Sequence, residues 1–366
     1  MASTDGMTHA PVGKPSPVCK PGEFIIAAAH LDHGHIYGQC NGLVEAGAVI
    51  KWVYDPVPER VAAFIQKFPE ARPARSLEEI LDDPEVRLVA AAAVPNERGP
   101  LGCRVMEAGK DYFTDKTPFT TLDQLAEARR TCEATGRKYA VYFSERLHVE
   151  CAVRAGQLVA AGAIGKVVQT LGTGPHRLNA PSRPDWFFEK EKYGGILCDI
   201  GSHQIEQFLF FTGAKDAKVV HSAAGNVANP KYPELEDFGE CSLVADNGAT
   251  GYFRVDWLTP DGLGSWGDGR LIILGTEGYI ELRKYIDIAT TNGGEQLLLV
   301  DSKGEHRIAC SGQVGFPFFG ELILDCLHRT EKAMAQQHTF LAAELCLKAQ
   351  NAAMRLDCRP LDSTRR

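Results

Sequence analysis

Residues 23–55 read EFIIAAAHLDHGHIYGQCNGLVEAGAVIKWVYD. The first part, EFIIAAA, is an apolar run with the length and make-up of a strand buried on both faces. HGHIYGQCNGLVEAG then carries apolar residues at helical spacing, and VIKWVYD is a second strand-like run. Two buried strands joined through a helix form a crossover unit, and such units build a parallel sheet. The pattern continues along the chain. PVPERVAAFIQKF reads as a helix with Pro56 near its start. SLEEILDD is a short helix with Ser76 as N-cap and Glu79 three residues on, a capping box. VRLVAAAAV is a third buried strand, and NERGPLGCRVMEAG an amphipathic helix ended by Gly109. DYFTD, TLDQLAEARRTCEATG (ended by Gly136) and KYAVYF complete the alternation. The reading is an α/β chain whose residues 23–144 form a doubly wound parallel sheet of Rossmann type.

The flanks differ. Residues 1–22, MASTDGMTHAPVGKPSPVCKPG, are rich in Pro, Ser, Thr and Gly and show no apolar period, so a flexible leader is expected. Residues 145–366 open with a helix (LHVECAVRAGQLVAAG) and a strand (GKVVQTLG), then a loop and a second helix. KVVHSAAGNV, GECSLVADN, TGYFRVDWL, GRLIILG, GYIELRK and QLLLVD follow as strands separated by Gly, Asn and Asp turns. They predict an α+β domain with a large, mainly antiparallel sheet. Two helices close the chain, near 316–332 and 338–355.

The 366 residues suffice for two domains. Hydrophobic residues at 44% and charged residues at 23% are ordinary for a globular chain. With a net charge of −8 and no long basic run, the sequence offers nucleic acid no electrostatic footprint. No apolar run reaches membrane-spanning length, and no secretory leader opens the chain. The eleven cysteines lie singly, without CxxC spacing, which fits reduced thiols in a cytoplasmic protein.

The turn after the first strand is where a dinucleotide pyrophosphate would meet helix amides. Of the three glycine positions of G-x-G-x-x-G, occupied here by Ala29, Leu31 and Gly34, only the last is kept. Leu31 would crowd the pyrophosphate. Asp55, ending the second strand 21 residues after Gly34, suits ribose hydroxyls and would repel a 2′-phosphate, favouring NAD over NADP. Gly34, Gly38 and Gly42 form a smooth helical stripe. The third strand ends at Val94-Pro95-Asn96, on the edge where ligands bind. Asp32, His33 and His35 in HLDHGH are expected to touch cofactor or substrate, or merely to cap the helix. Without a Cys pair or HExxH nearby, no metal site is expected.

Two further motifs bear chemistry. Asp115-Lys116 stands at the end of DYFTD, where an ammonium can stabilise a developing oxygen charge. YGGILCDIGSH (Tyr193–His203) places Asp199 and His203 one helical turn apart, on one face. A proton-handling pair and an ordinary helix start both fit that spacing.

Together, the dinucleotide pattern, DKTP near residue 116 and GGILCDIGSH near 199 resemble the Gfo/Idh/MocA oxidoreductases over about residues 23–355. Lys116 matches the lysine of that family's E-K-P motif, with Asp115 in place of glutamate and proline one place late, at Pro118. Gly194, Gly195, Asp199, Gly201 and His203 match GGxxxDxGxHxxD, with Glu206 as its last acid. The resemblance implies NAD-dependent hydride transfer at a hydroxyl-bearing carbon of a sugar, glycoside or cyclic polyol. Lys116, Asp199 and His203 would be catalytic, and Lys116 and His203 are both candidate bases. Cofactor contacts would come from residues 31–35, Asp55, Pro95, Asn96, Asp115 and Lys116. Glu145, Arg146, His176, Arg183 and Trp186 join Asp199 and His203 as expected substrate contacts. The resemblance also implies a homodimer or homotetramer. Two other activities remain open: glycoside cleavage through transiently reduced, recycled NAD, and a non-catalytic dinucleotide or sugar sensor. WLTPDGLGSWGDGR (Trp257–Arg270) reads as a lid or a subunit contact.

Overall fold

The computed structural model describes residues 6–290 and 293–357; residues 1–5 of the expected leader and Cys358 lie outside them. The first sheet contains β1 (Ile25–Ala29), β2 (Val49–Tyr54), β3 (Arg72–Pro73), β4 (Val86–Ala91), β5 (Asp111–Asp115) and β6 (Tyr139–Tyr142). Its order is β3-β2-β1-β4-β5-β6, and every pairing is parallel. The connecting helices are α1 (His35–Glu45), α2 (Pro58–Lys67), α3 (Leu77–Asp82), α4 (Pro95–Glu107) and α5 (Leu122–Thr135). Strand order reverses beside β1, so the carboxyl ends of β1 and β4 open the crevice where such sheets take ligands. Local signals set the helix ends. Ser76 accepts from the Glu79 amide, Thr121 caps α5 by accepting from Gln124, and Gly136 ends it at φ 64°.

The second part contains α6 (Ser144–Leu147), α7 (Glu150–Ala160), β7 (Val167–Pro175), α8 (Lys190–Tyr193), α9 (Ile196–Asp199), α10 (Gly201–Thr212), β8 (Ala217–Asn226), β9 (Phe238–Ala245) and β10 (Thr250–Asp256). It continues through β11 (Arg270–Gly275), β12 (Tyr279–Arg283), β13 (Gln296–Asp301), β14 (Gly304–Ala309), α11 (Pro317–His328), α12 (Gln336–Ala352) and β15 (Met354–Asp357). Nine strands pair in the order β14-β13-β12-β11-β7-β10-β9-β8-β15. β7 with β10 and β8 with β15 are parallel, and the other pairs are antiparallel. One face is covered by α10, α12 and α7. Alternation along β11 buries Leu271 and Ile273 and leaves Ile272 and Leu274 on the other face, beside Leu171, Tyr252 and Tyr279.

The leader departs from its expected looseness in the described part. The Ser16 and Val18 amides donate to Glu45 and Ala46 carbonyls, and the Gly13 amide donates to the Glu45 carboxylate. A segment poor in apolar residues is thus held mainly through its main chain. The glycine stripe on α1 also has a use. A β-carbon at Gly42 would stand 2.4 Å from the Phe319 ring of α11, and one at Gly38 would stand 2.7 Å from the Tyr142 hydroxyl of β6. The stripe therefore admits α11 as well as the sheet. Replacing Gly42 with Ala overpacks this contact and should cost about 1–3 kcal/mol, read as a lowered urea midpoint with unchanged slope. An unchanged midpoint would show that Phe319 shifts freely.

Candidate active site

The site forms where the carboxyl edge of the first sheet meets α10 and the second sheet. β5 ends at Asp115, whose carboxylate is fully buried. One oxygen faces His35 Nδ1 at 2.9 Å and accepts the Lys116 amide at 2.8 Å. The other accepts Arg98 at 3.3 Å and lies 3.2 Å from His33 Nδ1. Burial raises the Asp115 pKa, but His35 and the Arg98 guanidinium outweigh it and hold the carboxyl well below its usual range. Arg98, 1% exposed, also donates to the carbonyls of Ala93, Lys116 and Thr117, fixing the turn that presents Lys116. The Lys116–Thr117 peptide bond is cis.

Lys116 Nζ donates to the Asp199 carboxylate, and Thr117 Oγ1 donates to the Cys198 carbonyl at 2.6 Å. These two contacts join the lysine turn to the α9–α10 junction. Asp199 ends α9 and His203 lies in the first turn of α10. The expected Asp199–His203 partnership is replaced by Asp199–Lys116. His203 keeps a buried Nδ1 without a partner. Burial, and then the Lys116 charge, push its pKa well below the ordinary imidazole value.

Lys116 and His203 line a cavity of about 20 Å³, room for one water-sized molecule. His33, His35, Glu145, His176, Arg183, Phe187, Trp257 and Trp266 share its wall with Gly6, Met7 and His9. Glu145 accepts from Lys284 Nζ at 2.7 Å and Gln204 Nε2 at 3.0 Å through one oxygen, while Oε1 is buried and unpartnered. Burial alone would raise the Glu145 pKa, and the Lys284 ammonium beside it reverses that. The wall therefore offers an acceptor at Glu145 and an unpartnered nitrogen at His203. An ammonium and an aromatic floor stand beside them, a donor set suited to hydroxyl groups.

Other expected residues fall elsewhere. Arg146 does not face the cavity. It forms a buried ion pair with Glu206, which also meets His338, and stacks 3.9 Å from the Phe210 ring centroid. Trp186 lies outside the wall, with its ring 6.5 Å from that of His33. Lys284 and Arg98 were not expected, because each looks like an ordinary strand-end or helix-surface charge. The segment from Gly6 to His9 was read as loose leader, and no apolar pattern marks it otherwise.

The dinucleotide crevice fits its expected occupant. Gly34 precedes α1, whose first-turn amides at His35, Ile36 and Tyr37 donate to His33 Nδ1, the His33 carbonyl and the Gly34 carbonyl. His30 takes the left-handed conformation (φ 52°) that a glycine adopts without strain, and Leu31 turns its side chain into the core instead of toward the crevice. Asp55 accepts the Leu31 amide at 2.6 Å and the Val57 amide at 2.8 Å. Arg60 bridges it to Asp32. Pro95 begins α4, and the Asn96 side-chain oxygen is buried without a partner. His33, His35 and Asp115 approach one another closely enough to share a metal ion. The Asp115 carboxylate is already shared with Arg98, whose positive charge opposes a divalent cation there.

Comparison with known proteins agrees with this geometry. Residues 31–143 match the model "Oxidoreductase family, NAD-binding Rossmann fold", and residues 152–281 match the "GFO/IDH/MocA C-terminal domain". A solved chain from Erwinia carotovora atroseptica SCRI1043, described as an oxidoreductase, is 50% identical with a TM-score of 0.88. The match covers 91% of this chain and 100% of that one. The scyllo-inositol 2-dehydrogenase (NAD(+)) of Bacillus subtilis strain 168 is 26% identical over 70% of this chain and 74% of its own. D-xylose dehydrogenase of Paenarthrobacter nicotinovorans is 26% identical over 56% of this chain, a stretch spanning 52% of that relative. The chain belongs to the Gfo/Idh/MocA family of NAD-binding oxidoreductases.

Burial pushes down the pKa values of His9 (to about 4), His148 (to about 3), His33, His176 and His203. These rings stay neutral when folded and take up protons on unfolding once the pH drops below about 6.5. The unfolded chain then binds more protons, so stability is full above that value and falls as pH drops toward the folded values. Urea midpoints should be level above pH 7 and decline between pH 6.5 and 5. A midpoint constant down to pH 5 would contradict the neutral assignments.

Proposed function

We propose that this protein is an NAD-dependent dehydrogenase acting on a hydroxyl-bearing carbon of a sugar or cyclic polyol. The observation that supports it best is the shared cavity, where Lys116, the unpartnered Nδ1 of His203 and the free Oε1 of Glu145 converge below the dinucleotide crevice. The substrates named for the inositol and xylose relatives point to the same class. Bound NAD supplies the hydride acceptor. The chain's own residues handle the proton and the oxygen. His203, kept neutral by burial, takes the hydroxyl proton as the carbon is oxidised. Lys116, paired with Asp199, offsets the negative charge developing on that oxygen. Glu145, fixed by Lys284, accepts a neighbouring hydroxyl. Asp55 at the end of β2 supports NAD over NADP. Ten free cysteines among the described residues fit a reducing, cytoplasmic setting.

Lys116→Ala and His203→Ala should each lower NAD reduction with D-xylose or scyllo-inositol by about 10²–10⁴ and leave calorimetric NAD⁺ affinity intact. Wild-type turnover in both variants would remove the assigned roles. Loss of NAD⁺ binding would make them cofactor ligands instead.

The outer face of the nine-stranded sheet supports pairing of subunits. Leu171, Tyr252, Ile272, Leu274 and Tyr279 are each between 37% and 41% exposed and adjoin across β7, β10, β11 and β12. A homodimer or homotetramer would cover them. Light scattering should give a mass at least twice that of the chain, and Ile272→Glu should reduce it. A wild-type monomer would exclude this assembly.

A further inference from the structure

Gly6, Met7 and His9, in the described part of the segment ahead of β1, line the cavity beside Lys116 and His203. From its main-chain bonds at Ser16 and Val18 it runs past Glu45, with Lys14 donating to the Gly312 carbonyl at 3.2 Å. It borders a cleft of about 950 Å³ beside α11 that contains none of the catalytic candidates. Beyond Ala10 it turns over the site. The His9 ring lies 5.7 Å from Trp266 and 5.6 Å from Tyr285, and its Nε2 is buried without a partner. Gly6 presses so closely that a β-carbon there would stand 3.1 Å from Trp266 and 3.2 Å from His176. The Gly6 carbonyl accepts a hydrogen bond from His35 Nε2 at 3.0 Å.

Two facts follow. The space left beside Lys116 and His203 holds a water-sized molecule, far less than a ring bearing several hydroxyls requires. A carbonyl oxygen also occupies the outward nitrogen of His35, whose other nitrogen is held by Asp115. That is the dyad geometry by which a buried carboxylate aims an imidazole at a ligand.

We propose that Gly6–His9 occupies the substrate subsite, with the Gly6 carbonyl standing in for an oxygen of a polyhydroxylated substrate. His35, oriented by Asp115, binds that oxygen once substrate displaces the segment. The proposal rests on the sugar or polyol reading and gives His35 a role beyond the cofactor contact expected of it. Displacement asks little of the fold, because the segment's main-chain anchors at Gly13, Ser16 and Val18 lie outside the cavity. A tethered competitor acts at an effective concentration of about millimolar, so it opposes weak sugar binding strongly.

The test compares the full chain with one lacking residues 1–9, both saturated with NAD⁺, by calorimetric titration with D-xylose and scyllo-inositol. The shortened chain should bind at least one of them about tenfold more tightly, or show binding where the full chain shows none. A peptide of residues 2–12 should compete with that binding. His35→Asn in the shortened chain should cancel the gain. Equal or weaker affinity in the shortened chain, absence of binding included, overturns the proposal. Hydrogen exchange on the full chain is an independent check. Saturating sugar should speed exchange at the amides of residues 6–9, whereas slower exchange would make the segment a wall closing over the ligand. A gain in sugar affinity without any NAD reduction would leave this inference standing and refute the dehydrogenase reading. NAD reduction without the gain would do the reverse.

Discussion

A single buried carboxylate organises the centre of this molecule. Asp115 ends β5, the strand next to the β6 edge of the first sheet, yet it is out of reach of water, and an unpaired charge there would be strongly destabilising. Three groups prevent that: the Arg98 guanidinium, the His35 ring and the Lys116 amide. Each partner is fixed in turn. Arg98 reaches the carbonyls of the next turn, His35 starts α1, and Lys116 crosses to Asp199 in the second part. The dinucleotide turn, the lysine turn and the α9–α10 junction are therefore held to one point. Pre-organisation of this kind holds the groups proposed to be catalytic in place, so that little rearrangement would be needed during reaction.

The same low-polarity setting explains the protonation pattern of the site. Burial outweighs the nearby charges at His203 and His176 and drives both imidazoles neutral. Carboxylates with cationic partners, Asp115 and Glu145, stay ionised. A neutral proton acceptor and fixed ions thus stand within one cavity, and their roles are divided by environment more than by residue type.

Much of this was legible in the sequence, for identifiable reasons. Strands buried on both faces read as unbroken apolar runs, so β1, β4 and β5 were plain. Ser76, Gly109 and Gly136 marked helix ends through local chemistry that needs no distant partner. Lys116, His203, Glu145, His176 and Arg183 were all named, and all line one cavity. What escaped depends on contacts between distant residues. Lys284 gains its meaning only where the end of β12 meets Glu145, 139 residues away. Arg146 looked like a substrate ligand because nothing in the sequence shows Glu206 lying against it. β3, β14 and β15 are short or rich in charge, so no apolar alternation announced them. The leader is fastened through backbone groups, which leave no trace in composition.

The two ends of the nine-stranded sheet have one more consequence. An open sheet edge exposes unpaired amides and carbonyls that can recruit further strands without limit. Here one edge is β14, whose Glu305, His306 and Arg307 stand exposed, and the other is β15, four residues long with Arg355 exposed. A like strand arriving at either edge would meet charge or run out of length. Growth by edge addition is blocked while the flat apolar face stays open. For the assembly proposed above, that leaves the apolar face as the contact, and a face-to-face pair closes on itself where edge addition would run on into fibres.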